Sequence, residues 1–188
     1  MDGFLLSMIV LFLVETGGRT QLLAAALAQR FGNERDIILA LCGATICNSI
    51  ISAAAGSIVD GWISEDALRL FTALAYIFAG AGMLSWQRKI DLLEKWKLSP
   101  LWTAFFGILI LQFGDKGQFL IAANAANWDA WGLIMVGSIA GILAATIPVV
   151  IWREKLARHL PIQAIRITVG AVMLLVGVYL ALMAFRII

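Results

Sequence analysis

ETGGRTQ at residues 15–21 and QFGDKGQ at residues 112–118 are one pattern written twice, 97 residues apart. Each copy carries one acid, one base, two glycines and a closing glutamine. The same shift lays ALRL at 67–70 on AIRI at 164–167, and Gly80 on Gly177. Short apolar matches arise by chance, but a constant offset held across separate segments reads as an internal duplication.

Both copies lie inside long apolar stretches. A membrane-spanning helix needs about 20 largely apolar residues, and six stretches qualify: 3–28, 37–59, 67–86, 101–126, 130–152 and 162–185. The composition agrees. With 62% hydrophobic and 14% charged residues and a mean hydropathy of +0.93, too few polar side chains remain to cover a water-soluble fold. A soluble enzyme, a disordered chain and a nucleic-acid-binding module are thereby excluded. Lipid offers the backbone no hydrogen bonds, so each stretch is expected to be helical, and the frequent glycine and alanine suit close helix packing.

Basic residues alternate between the connections. Arg30 and Arg35 follow the first stretch, Arg88, Lys89, Lys95 and Lys97 the third, and Arg153, Lys155 and Arg158 the fifth; the intervening side holds Asp2, Asp60, Glu65, Asp66 and Asp129, with only Arg69 and Arg186, near helix ends, toward it. The positive-inside rule then puts both termini outside. The expected fold is an all-α integral membrane protein of six transmembrane helices arranged as two inverted three-helix repeats. Residues 1–86 form the first repeat, 87–100 a cytoplasmic linker and 101–188 the second repeat. Asp36, Ser64, Asp129, Ser99 with Pro100, and Pro161 stand where helices should start. The seven tryptophans fall near segment ends, as interfacial belts require. The first stretch has Glu15 in its middle and no preceding base, and so reads as a retained helix, not a cleaved signal. Cys42 and Cys47, five apart on one helix, face about 140° apart and form no disulfide framework.

The duplicated motif puts charge deep in the hydrocarbon. Glu15 lies about 18 Å along the helix from Gly3, and Asp115 about 21 Å from Leu101. An ionised side chain there costs at least about 2.5–3.5 kcal/mol, so Glu15, Arg19, Asp115 and Lys116 need partners, water or an ion. Gly17, Gly18, Gly114 and Gly117 weaken the helix at those points. Interrupted helices at matching positions of inverted halves mark a transporter's substrate site. A purely structural network is the alternative: Glu15 and Arg19 stand at i, i+4 and could neutralise each other, and Asp115 could pair across helices with Arg19.

These residues resemble the E-x-G-D-(K/R)-(T/S) signature, present once in each half of the Golgi-type calcium and manganese transporter family, also classed as the second calcium:proton antiporter family. The chain resembles a divergent bacterial member over essentially its whole length. Glu15, Gly17, Arg19 and Thr20 match the first signature, with Gly18 standing in place of aspartate. Gly114, Asp115 and Lys116 match the second, with Gln112 replacing glutamate and Gly117 the hydroxyl residue. Four carboxylates have become two, one from each half. The motif charges therefore cancel where the family pattern would remain negative and attract a divalent cation more strongly.

The resemblance implies a secondary transporter of the bacterial inner membrane that exchanges Mn²⁺ or Ca²⁺ for protons by alternating access. It implies no enzyme activity and no cofactor beyond the transported ion. Glu15 and Asp115 would ligate the ion with Gln112, Gln118, Thr20 and Gln21, all oxygen donors. Arg19, Lys116, Gly17, Gly18, Gly114 and Gly117 would support the site. Membrane lipid, the divalent cation and protons are the expected partners, and a homo-oligomer is admitted because a second protomer could supply the missing acids.

Other residues read more plainly. His159, the only histidine, lies in a basic loop, and Asn48 and Asn124 suit helix-to-helix hydrogen bonding. Gly137 and Gly141 form a GxxxG match suited to internal packing, and the run 88–97 reads as a topology anchor. Two other functions stay open: an exporter of small organic solutes such as amino acids, with Arg19 and Lys116 holding a carboxylate, and a non-transporting membrane scaffold.

Overall fold

The computed structural model describes residues 1–85, 90–128, 130–152 and 161–186. The expectations for Trp86, Arg88, Lys89, Asp129, Arg153, Lys155, Arg158 and His159 lie outside the described residues. Among the described residues the regular structure is entirely helical: α1 Asp2–Glu15, α2 Arg19–Phe31, α3 Glu34–Asp60, α4 Glu65–Leu84, α5 Pro100–Gln112, α6 Lys116–Ala126, α7 Trp131–Trp152 and α8 Ile162–Ala184. Helices α3, α4, α7 and α8 are each long and apolar enough to cross a membrane. The pairs α1–α2 and α5–α6 qualify only when each is taken as one span bent by 64°.

The stretches 3–28 and 101–126 are broken at the glycines expected to weaken them. The reason is local. Gly17 (φ 71°) and Gly114 (φ 77°) adopt the left-handed conformation, which is open to glycine and costly for other residues, and no helix continues through it. The start of α3 also departs from expectation. Asn33, not Asp36, is the N-cap, and its side chain accepts from the Asp36 backbone N–H at 3.2 Å. Ser64 caps α4 as expected, and Ser99 precedes Pro100 in the first turn of α5.

Packing is closest between helices from opposite halves: α1 on α7, α5 on α3, and α4 on α8, with α6 also packed on α3. In the 97-residue register the first two contacts are counterparts, and the third is its own. Small residues allow these approaches. A side chain at Gly137 or Gly141 would run into the α1 carbonyls of Phe4 and Met8 respectively, so this GxxxG pair packs internally. Gly80 lies on the Gly170 carbonyl, and its counterpart Gly177 on the Ala73 carbonyl.

Two apolar clusters result. One joins α1, α3, α4, α6, α7 and α8 around Leu11, Val14, Leu120 and Ile121. The other joins α2, α3, α5 and α7 around Leu27, Leu41, Ile108 and Val150. Each broken pair thus sends one limb into each cluster. Large apolar side chains such as Ile110 and Leu175 remain exposed on the outside, as a surface facing hydrocarbon requires.

The segment before α5 is pinned. Arg30 of α2 donates to the carbonyls of Leu92, Leu93 and Glu94. Leu93, held at φ 56° with its N–H on the Asp91 carboxylate, sets its side chain against Gly107 of α5.

Candidate ion site at the paired helix breaks

The two breaks are the same structure. Thr16 (φ −63°, ψ 119°), Gly17 and Gly18 (φ −74°, ψ 168°) repeat in Phe113 (φ −70°, ψ 120°), Gly114 and Asp115 (φ −80°, ψ 162°). In each, the left-handed glycine donates its N–H to the glutamine four residues on: Gly17 to Gln21 Oε1 at 2.8 Å, and Gly114 to Gln118 Oε1 at 2.6 Å. The glutamine closing each motif is a staple across the break. Gln21 also donates to the Ala145 carbonyl of α7 at 2.6 Å.

The breaks meet through Glu15. Its carboxylate, on a residue only 3% exposed, faces Lys116 with Nζ 3.8 Å from Oε1. The same ammonium donates to Asp115 Oδ2 at 3.2 Å. One cation, on a residue 7% exposed, thus spans acids from both halves. Room for the carboxylate comes from the absence of side chains. A Cβ at Gly117 would stand 3.0 Å from Glu15 Oε1, and one at Gly18 would stand 3.1 Å from Oε2. Two of the three departures from the family signature therefore surround the surviving glutamate.

The intrahelical Glu15–Arg19 pair considered above does not form; Glu15 pairs with Lys116 instead. Helical spacing does not apply across residues 16–18, because the chain is not helical there. For the same reason Asp115 and Lys116, although adjacent, converge: Asp115 is the N-cap of α6 and Lys116 its first residue.

Two cavities flank the pair. One of about 260 Å³ is lined by Thr16, Arg19, Ser85, Asp115, Lys116 and Arg166 among others. A second of about 360 Å³ includes Arg19, Leu23, Leu93, Gly107, Phe113 and Asp115. Arg19 and Asp115 belong to both linings and so stand at the partition. Thr20 is buried beside the Glu15 carboxyl. Gln112, the counterpart of Glu15, is buried and donates to Thr45 Oγ1 at 3.2 Å. Glu15 Oε2 and Gln112 Oε1 have no hydrogen-bond partner among the described residues. Buried oxygens without donors are costly unless something else satisfies them.

Two features went unread in the sequence. Arg166 lines the first cavity, donates to the carbonyls of Met83 and Ser85 at 2.9 and 3.3 Å, and lays its stem over Gly17. An arginine four residues into an apolar segment was the available signal. Thr45 also begins a buried polar stripe on α3 that continues with Asn48, Ser49 and Ser52, spaced to share one helix face. Asn124 bridges Tyr76 and Ser7, as an interhelical amide should, whereas Asn48 Oδ1 has no partner among the described residues. No group of three or more His, Cys, Asp or Glu side chains able to hold a metal occurs among the described residues, and Cys42 and Cys47 are free thiols.

Comparison with known proteins adds to this geometry. A family model described as divalent cation/proton antiporter GDT1 matches residues 3–90 and again residues 100–187, one match in each half. A Vibrio cholerae protein named "Putative manganese exporter" is 30% identical over 178 residues, covering 93% of this chain and 88% of its own. The Arabidopsis thaliana GDT1-like protein 5 is 26% identical over 220 residues, covering 95% of this chain and 94% of its own. No solved structure matches the chain.

Proposed function

The chain belongs to the GDT1 family of divalent cation/proton antiporters, and from that premise we propose that it exchanges Mn²⁺ or Ca²⁺ for protons across the bacterial inner membrane. One observation carries the reading: Glu15 and Asp115, from equivalent breaks, converge on a single cationic position. A divalent ion there would have Glu15 and Asp115 as charged ligands, with Gln112 Oε1 and the Thr20 hydroxyl as neutral ones. These hard oxygen donors suit Mn²⁺, Ca²⁺ or Mg²⁺, and the name of the Vibrio relative favours Mn²⁺ and export. Gln21 and Gln118 act chiefly by holding the two breaks in shape.

Protonation of a carboxylate removes its charge and so releases the ion, which makes the two cargoes alternate at one site. Residues 1–86 and 101–188, inverted with respect to each other and with both termini outward, would rock about that site to open it to each side in turn. The matched break geometry and the reciprocal α1–α7 and α5–α3 packing support this arrangement.

The test is reconstitution in liposomes containing a pH-sensitive and a metal-sensitive dye. Mn²⁺-driven proton movement is expected in the wild type and is expected to be lost in both Glu15→Gln and Asp115→Asn. Exchange that persists in both variants would remove these carboxylates from the mechanism. A second reading has its own observation: Arg19, Lys116 and Arg166 give the smaller cavity three cations, which would suit an organic carboxylate. Amino-acid flux without metal flux would favour it.

A further inference from the structure

Resting on the assignment of Glu15 and Asp115 as the ion-binding pair, we propose that Lys116 is a tethered counter-cation. Its ammonium holds the ion's place between the two carboxylates in the empty carrier, and the arriving divalent ion displaces it into the adjoining cavity.

The argument is geometric. Nζ lies 3.8 Å from Glu15 Oε1 and 3.2 Å from Asp115 Oδ2, so it occupies the region from which both acids could reach one ion. Ion and ammonium therefore exclude each other. The side chain also has somewhere to go. Lys116 and Gly82 both line the 260 Å³ cavity, and the lysine stem runs past Gly82 with Cδ 3.4 Å from where a Cβ would be. A glycine at that point leaves the stem a smooth wall and space to turn. The offset counterpart Arg19 makes no such contact with Glu15 and faces the cavities instead, so only one of the two motif cations serves as the plug.

Charge explains why a plug is needed. Two bare carboxylates in a low-dielectric interior repel each other and lose their hydration. A carrier that has released its metal must cover both negative charges before it can return. A tethered ammonium covers one without leaving the protein and the exchanged proton covers the other, and the ammonium sets the affinity that a metal must exceed, which makes Lys116 an affinity-setting residue.

A purely structural lysine predicts the opposite of what this role predicts. Removing it would strand a buried carboxylate and weaken fold and binding together, whereas removing a competitor strengthens binding. The experiment is Mn²⁺ titration calorimetry on purified full-length protein, alongside two liposome assays: Mn²⁺–Mn²⁺ exchange and net Mn²⁺ movement. For Lys116→Met we expect Kd to fall at least about tenfold. Exchange should be retained while net movement drops by a similar factor, because only the metal-free, proton-carrying return step is impaired. Lys116→Arg, which keeps the charge, should recover most of the net movement relative to Lys116→Met. Gly82→Val, which crowds the stem's path, should raise Kd. An unchanged or higher Kd in Lys116→Met, or exchange and net movement falling in the same proportion, overturns the proposal. If Lys116→Met cannot be recovered folded, an unchanged Kd in Gly82→Val overturns it. The two readings fail separately. Wild-type protein that binds no Mn²⁺ ends both, whereas wild-type binding that is lost in Glu15→Gln, together with unaltered affinity in Lys116→Met, ends only this one.

Discussion

Glu15 owes its position to what its neighbours lack. Gly18 and Gly117 leave its two carboxylate oxygens room on either side, and Gln112, its counterpart, contributes a buried carbonyl oxygen without a donor among the described residues. Gln112→Glu should therefore return an acid to the position where the family has one, with the Thr45 hydroxyl turning from acceptor to donor to meet it. One added negative charge a few ångströms from a bound ion is worth at least about 1.4 kcal/mol, or tenfold in affinity. Calorimetric titration with Mn²⁺ should register that gain, and an unchanged Kd would place Gln112 outside the ligand set. The sequence marked both acids and their complementary loss. It did not reveal Lys116 reaching Glu15, because residue spacing translates into side-chain direction only within an unbroken helix. Arg166 was missed for a different reason: it entered only as one letter of a repeat, and its capping of the α4 carbonyls is a contact between residues more than 80 apart.

The breaks decide the behaviour of the elements. A glycine pair in each motif announced weakness, yet only the first glycine of each pair, Gly17 and Gly114, is left-handed; the second serves the site by having no side chain. Composition alone could not assign these separate roles. Gly114→Ala should cost about 1–2 kcal/mol, the strain of a side chain in the left-handed region, since no atom lies within 4 Å of the added Cβ. Gly17→Ala should cost more, because its Cβ would meet Ile162 at 2.5 Å and Arg166 at 2.8 Å. Thermal unfolding of the two variants in detergent should separate them in that order, and equal losses would contradict the packing of α8 over the first break. Asn33 teaches a similar lesson about boundaries. Asparagine and aspartate both cap helices, and the choice between Asn33 and Asp36 depends on where the preceding turn at Gly32 ends.

For the molecule as a whole, the apolar periods and the 97-residue repeat made an all-helical chain with four to six candidate membrane spans and two family-matched halves legible, because lipid leaves a backbone few options. Which helix lies on which was not legible: nothing in the local pattern says that α1 should pack on α7 and α5 on α3. The proposed orientation has a direct test. In a background lacking Cys42 and Cys47, Glu65→Cys should react with an impermeant thiol reagent added outside intact cells, and Lys97→Cys only after the membrane is opened. The reverse pattern would invert the topology.

The grip of Arg30 on three successive carbonyls, with Leu93 seated on Gly107, has a mechanical consequence. Residues 92–94 are a coupling rod between α2 and α5, not a slack cord. Any swing of α2 pulls residues 92–94, and through Leu93 it presses on α5. The limb that follows the first break is thereby tied to the limb that leads into the second.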